Sequence, residues 1–118
     1  MKMKTQALVK TAVVAALFTG VFCWSATADD ATDTWNANCA MCHGKDGKGD
    51  TLMGHRLQIK DLTDAKVQAA LTDEQAAKII KEGVTEDGRT KMKAFGGQLS
   101  DDQIKALVAK VRSFKAAQ

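Results

Sequence analysis

Two cysteines separated by two residues and followed at once by a histidine, Cys39-Ala40-Met41-Cys42-His43, are the densest run of reactive side chains in the sequence. A C-x-x-C-H run is the attachment signature of c-type haem. The reason is geometric. Thiols about one helical turn apart reach the two vinyl groups of one porphyrin, and the adjacent imidazole then lies under the iron. Cys39 and Cys42 are therefore expected to form thioethers to a single haem c, with Nε2 of His43 as the proximal iron ligand. Other chemistries of the same residues each lack a part. A Cys39–Cys42 disulfide would close a tiny loop and stabilise little. A thioredoxin-like redox pair belongs in a βαβ context, and no run of β-branched residues resembles a central strand. A zinc site needs four ligands, and beyond Cys39, Cys42 and His43 only His55 is an obvious fourth.

A chain of 118 residues has room for one small domain to present this cluster. Charged residues at 26% and hydrophobic residues at 45% are ordinary for a globular protein with a packed core. The formal charge of +3 rests entirely on Lys2, Lys4 and Lys10, since residues 1 to 28 contain no Asp or Glu. The remainder is balanced, which removes the electrostatic case for binding nucleic acid or an anionic membrane surface. Three early lysines, an uncharged stretch over residues 11 to 24 and then Ala26-Thr27-Ala28 read as a secretory signal peptide cut after Ala28. That stretch falls short of the roughly 20 apolar residues a spanning helix needs, so no stable membrane insertion is expected after cleavage. Phe22 is too bulky for the cut that lipidation of Cys23 requires. The expected mature domain is 29 to 118, with Cys39 and Cys42 its two cysteines, exported to the periplasm where haem attachment occurs.

The elements that position the cluster follow from caps and apolar spacing. Residues 30 to 38 can form a helix with Trp35 four residues before Cys39, on the same face, packing on the core. Gly44 to Asp50, rich in Gly and charge, reads as a solvated turn. A short helical segment is expected over 63 to 71. Thr72-Asp73-Glu74-Gln75 is a capping box for a helix ending near Gly83, burying Ala76, Ile79 and Ile80. A second box, Ser100-Asp101-Asp102-Gln103, opens a C-terminal helix with Ile104, Leu107, Val108 and Val111 at i, i+3, i+4 and i+7. Its expected partner is the N-terminal helix around Trp35 and Ala37, with Phe114 extending the contact. Residues 88 to 97 show no apolar periodicity and read as a loop. Met92 within it is either a gap-filler against the core or, in a haem protein, a thioether opposite the histidine.

Taken together, these residues resemble the class I mono-haem cytochromes c of bacteria over nearly all of 29 to 118. The match comprises C-x-x-C-H near the mature N-terminus, a Gly-rich loop, a capped central helix, Lys91-Met92-Lys93-Ala94-Phe95-Gly96-Gly97 and a capped C-terminal helix. The resemblance implies an all-α fold, N- and C-terminal helices packed together around a covalent haem, with a shorter central helix. It implies Cys39 and Cys42 as anchors, His43 as proximal and Met92 as distal ligand; Met53 and His55 lie outside the family's ligand-loop pattern. Members commonly carry proline after the distal Met and in the loop after the proximal His, where this chain has Lys93 and Leu52. A backbone carbonyl near Leu52 is the expected acceptor for Nδ1–H of His43. The absence of proline predicts a Met92 loop that opens readily.

With both axial positions filled by protein, the expected function is a soluble, monomeric periplasmic electron carrier rather than an enzyme. It would exchange one electron between Fe(III) and Fe(II) with redox partner proteins of a respiratory chain. Lys45, Lys48, Arg56, Lys91 and Lys93 flank the ligand segments and could steer an acidic partner. Two alternatives stand beside this reading: a haem enzyme or gas sensor with an open distal site, and a cytochrome subunit of a larger respiratory complex.

Overall fold

Thr27 and the acidic pair behind it set the start of the first helix. A computed structural model describes residues 27 to 117. The segment read as a signal peptide lies outside them except for Thr27 and Ala28, and Cys23 lies outside them altogether. Helix α1 runs Ala28–Asn38; the Thr27 side chain accepts from the Asp30 N–H, and Asp29 and Asp30 occupy the first turn, where negative charge complements the helix dipole. It buries Ala31 and Trp35, one turn apart. Ala37 faces solvent, so the expected contact around Ala37 is corrected to one around Ala31.

The chain breaks at Cys39, then makes a single helical turn, α2 (Ala40–His43). The loop after it leads into a helix with no counterpart among the sequence expectations, α3 (Leu52–Leu57), whose cap Thr51 accepts from the Gly54 N–H. Six residues are too few for a periodic signal, and Thr51 is a cap with Gly54, instead of a Glu or Gln, three residues later, so no box marks it. The segment expected over 63 to 71 is helical as α4 (Ala65–Ala70), started by the Asp64 carboxylate accepting from the N–H groups of Lys66 and Val67. Both capping boxes form as expected and open α5 (Asp73–Glu82) and α6 (Asp101–Ser113). A short 3₁₀ turn follows over Phe114–Ala117.

One expectation is overturned between α5 and α6. Part of the segment read as loop is an antiparallel hairpin, β1 (Val84–Glu86) with β2 (Arg89–Met92), paired Val84 to Met92 and Glu86 to Arg89. Asp87 and Gly88 turn it with φ of 50° and 73°. Asp-Gly with both residues at positive φ is the favoured two-residue hairpin turn, so the signal was present in the dipeptide rather than in any alternation. The two strands are a small addition to an otherwise helical architecture.

Helices α1 and α6 pack together, and α5 lies against α6. The core comprises Trp35, Ala76, Ile80, Phe95, Ile104, Leu107, Val108, Val111 and Phe114. Trp35 and Phe114 meet with ring centroids 5.0 Å apart and planes tilted by 59°, an offset geometry that aromatic quadrupoles favour. This is the all-α arrangement that the resemblance implies, and α1, α5 and α6 each contribute walls to the cleft onto which Cys39 and His43 open.

Candidate cofactor site

The cysteine–histidine run sits where α1 gives way to α2. The Cys39 N–H donates to Trp35 O at 2.8 Å, and the N–H groups of Cys42 and His43 then donate back to Cys39 O at 3.2 and 2.9 Å. One carbonyl thus curls the whole run into a turn. Trp35 braces it from below: its Nε1–H donates to Gly44 O at 2.9 Å, and its ring lies 5.6 Å from that of His43. On the other side the Thr51 hydroxyl donates to Cys42 O at 2.8 Å and ties α2 to the start of α3.

Both cysteines are half-buried free thiols. Burial, and secondarily Cys42, pushes the Cys39 thiol up to about 11. A redox-active C-x-x-C pair has a depressed thiol pKa, so this environment is the opposite of a thioredoxin-like one. Among the described residues no three His, Cys, Asp or Glu side chains converge as metal ligands. His55, the candidate fourth zinc ligand, is exposed and bonded to Asp50 at 2.6 Å.

His43 and Cys39 open onto an apolar cleft that also has Trp35, Leu62, Leu71, Ala76, Ile79, Ile80, Met92, Leu107 and Val111 in its walls. It encloses about 490 Å³ of empty space, solvent at its mouth included. Ile79, expected to be buried, is only half-buried, whereas Ala76 and Ile80 on the same cleft are buried. Burial lowers the pKa of His43 and favours the neutral imidazole, the form with a lone pair for a metal. Nδ1 of His43 is buried without a hydrogen-bond partner, so the bond expected from a carbonyl near Leu52 is not made. Leu52 is the first residue of α3, where carbonyls turn down the helix axis to accept from residues further along. Neutral imidazole, thiols one and four residues before it and an apolar cleft form the donor set and cradle that a covalent porphyrin needs, and the residues present fit haem c.

Of the four sequence candidates, Cys39, His43 and Met92 line this cleft, while Cys42 lies on the same turn outside the lining. Met53 is half-buried and not in the lining, and Met41 is 74% exposed. Met92 ends β2, and the chain beyond it docks on α5: the Phe95 and Gly96 N–H groups donate to Ile80 O and Lys81 O, both at 3.0 Å, and Phe95 is buried. In this chain without proline, the Met92 segment is tethered by hairpin pairing and two backbone hydrogen bonds to the end of a helix. Leu62 and Leu71 are wall residues that sequence reasoning missed, because each lies in a non-periodic stretch beside a short helix.

Leu62 is held in place by its neighbours. The Asp61 carboxylate accepts from the Thr63 hydroxyl at 2.6 Å and the Thr63 N–H at 2.8 Å. These two bonds, with a smaller contribution from Lys48, hold the Asp61 carboxyl below its ordinary value of 3.8. Stability from a depressed carboxyl is fully present above the unfolded pKa and is lost as pH falls through the folded one. Asp61→Asn, which keeps an acceptor oxygen without the charge, should therefore lower the denaturation midpoint at neutral pH. The gap from wild type should narrow as pH falls below 3.8; a gap of equal size throughout would contradict a charge-assisted turn.

Comparison with known proteins agrees with this geometry. A family model described as cytochrome c oxidase, cbb3-type, subunit III matches residues 26–109. Among solved structures, the KustC0563 c-type cytochrome is similar with a TM-score of 0.65 and 35% identity, over 72% of this chain and 96% of that one. A Kustc0563 tyrosine-to-phenylalanine mutant is similar with a TM-score of 0.64 and 36% identity, over 73% and 99%. No curated protein matches significantly.

Proposed function

The chain belongs to the c-type cytochromes, in the family described as cytochrome c oxidase, cbb3-type, subunit III, and is a mono-haem electron carrier with covalent haem c; on that premise we propose that it is a soluble periplasmic carrier using His43 and Met92 as its axial pair. When bound, the haem supplies a one-electron Fe(III)/Fe(II) couple. The observation that carries the axial assignment is that Met92 lines the same cleft as His43, while Met41 and Met53 do not.

The work of the polypeptide is to anchor, ligate and exclude water. Cys39 and Cys42 supply the thioether sulfurs. His43 is kept neutral and braced by Trp35, so its lone pair is available for the iron. Met92 supplies a neutral sulfur, which together with apolar walls such as Leu107 and Ile80 penalises the extra positive charge of the ferric state and sets a comparatively high potential. Exposed Lys45, Lys48, Arg56 and Lys93, with half-buried Lys91, supply positive charge for an acidic redox partner, interspersed with Asp46 and Asp50. Among the described residues no helix is long and apolar enough to cross a membrane. Export with a cut after Ala28 would remove the Thr27 cap and leave Asp29 and Asp30 in the first turn of α1.

A second reading, a subunit of a larger respiratory complex, draws on the family description. The test of both is to isolate the native protein from the periplasmic fraction and record its size and its oxidised and reduced spectra. A monomer-sized coloured species with pigment that resists acidified organic solvent and a weak far-red sulfur-to-iron band is expected. Recovery only in a large membrane complex would replace the carrier with the subunit, and a missing far-red band would remove Met92 from the iron.

A further inference from the structure

Three walls of the cleft are held from behind by one pair of polar side chains that the proposed electron transfer does not use. Gln68 on α4 is 5% exposed, and its carboxamide is fully engaged: Nε2 donates to Leu62 O at 2.6 Å and Val111 O at 2.8 Å, and Oε1 accepts from Nη1 of Arg112 at 2.9 Å. Arg112 on α6 also donates from Nη1 to Gln68 O at 2.8 Å, from Nη2 to Leu71 O, and from Nε to the Asp73 carboxylate at 2.7 Å. Leu62, Leu71 and Val111 all line the haem cleft. The carbonyls of all three therefore end on this pair.

The placement has a physical logic. Helix α4 is only six residues long, and its C-terminal carbonyls have few intrahelical partners. A cation at that end is favoured by the helix dipole, and the carboxylate of Asp73 lies at the N-terminus of α5, where negative charge is favoured. A planar guanidinium can serve both ends of the α4–α5 corner at once, because its donors point in fixed and separate directions. A lysine ammonium is a point donor and cannot span them. Removing the guanidinium leaves the Leu71 and Gln68 carbonyls without their partner in a part-buried site, which favours entry of water beside the wall.

We propose that Arg112, acting through Gln68, is a positioning residue that keeps the Leu62–Leu71 wall closed on the haem and so helps set its reduction potential. The inference rests on the haem-carrier reading above. A wall that loosens admits water, and water stabilises the more highly charged ferric state. Arg112→Met should raise the Fe(III)/Fe(II) ratio at a fixed poise by about three- to tenfold, about 28 to 59 mV for one electron. Loss of a positive charge acts in the same direction, so Arg112→Lys, which keeps the charge and loses the geometry, is the deciding variant.

The experiment is an optical redox titration of the holoproteins at low and high salt, with thermal unfolding followed in parallel. Arg112→Lys is expected to reproduce most of the shift of Arg112→Met, little changed by salt. A lysine variant with the wild-type ratio beside a shifted methionine variant would assign the effect to charge and overturn the proposal. Unshifted ratios in both, with lowered melting temperatures, would make Arg112 merely structural and overturn it equally. If neither Arg112 variant accumulates folded, Gln68→Met keeps the guanidinium and frees the Leu62 and Val111 carbonyls; the same upward shift is expected, and its absence overturns the proposal. A wild-type protein without haem would defeat the carrier reading and this inference together, whereas unshifted variants of a coloured wild type defeat only the inference.

Discussion

Met92→Ala is expected to abolish the far-red sulfur-to-iron band and to lower the reduction potential by on the order of 0.2 V, since axial ligands span haem potentials over about 0.8 V. The thioether is a weak neutral donor that favours ferrous iron, and alanine cannot replace it. Chain anchoring should survive: Cys39, Cys42 and His43 lie on a different segment, and the loop after Met92 keeps its hydrogen bonds from Phe95 and Gly96 to the end of α5. The variant should therefore remain folded and coloured with covalent haem, and it should gain a measurable peroxidase activity from the opened distal position. A potential and far-red spectrum equal to those of the wild type would show that another group completes the iron, and the axial assignment would pass to one of the other methionines or to His55.

Gly54→Ala is the second large effect, on stability instead of potential. Gly54 is buried in α3 with helical backbone, so its need for glycine is one of space. A Cβ there would run into the Gly49 carbonyl oxygen and stand 2.8 Å from Cys42 O. Both obstacles are backbone, one in the loop after His43 and one in the 39–43 turn itself, and neither can swing aside as a side-chain end could. Overpacking against such surroundings typically costs 1–3 kcal/mol and occasionally more, and about 3 kcal/mol or more is expected here. In a domain of this size that corresponds to a fall in melting temperature of more than about 12 °C. Since α3 would be pushed off the 39–43 turn, haem incorporation should fall as well. A melting temperature within a few degrees of wild type would mean that α3 does not lie so closely on Cys42.

How much of this was legible beforehand depended on sequence distance. Both capping boxes were readable because a Thr or Ser and a Gln three residues later complete one another within a single turn, and α5 and α6 start where they say. The face of α6 followed from its 3.6-residue spacing, and Leu107, Ile104, Val108 and Val111 are buried accordingly. The hairpin escaped notice because its evidence was an Asp-Gly pair between strands of three and four residues, too short to alternate visibly. Helix α3 is equally short, and the buried face of α1 carries Ala31 and Trp35, with Ala37 outside it.

The attachment signature and the main helical spans are readable from local sequence, because both depend on groups within a few residues of one another. Two thiols and an imidazole in C-x-x-C-H carry their mutual placement wherever a helical turn forms. Which methionine shares a cleft with His43, the missing carbonyl partner of its Nδ1 and the backing of the wall by Gln68 and Arg112 all depend on how distant segments pack. The last two stand 44 residues apart in the chain and meet where hydrogen bonds join α4 to the last turn of α6. Contacts of that kind are set by how whole helices bury their faces against each other, and local spacing carries no record of them.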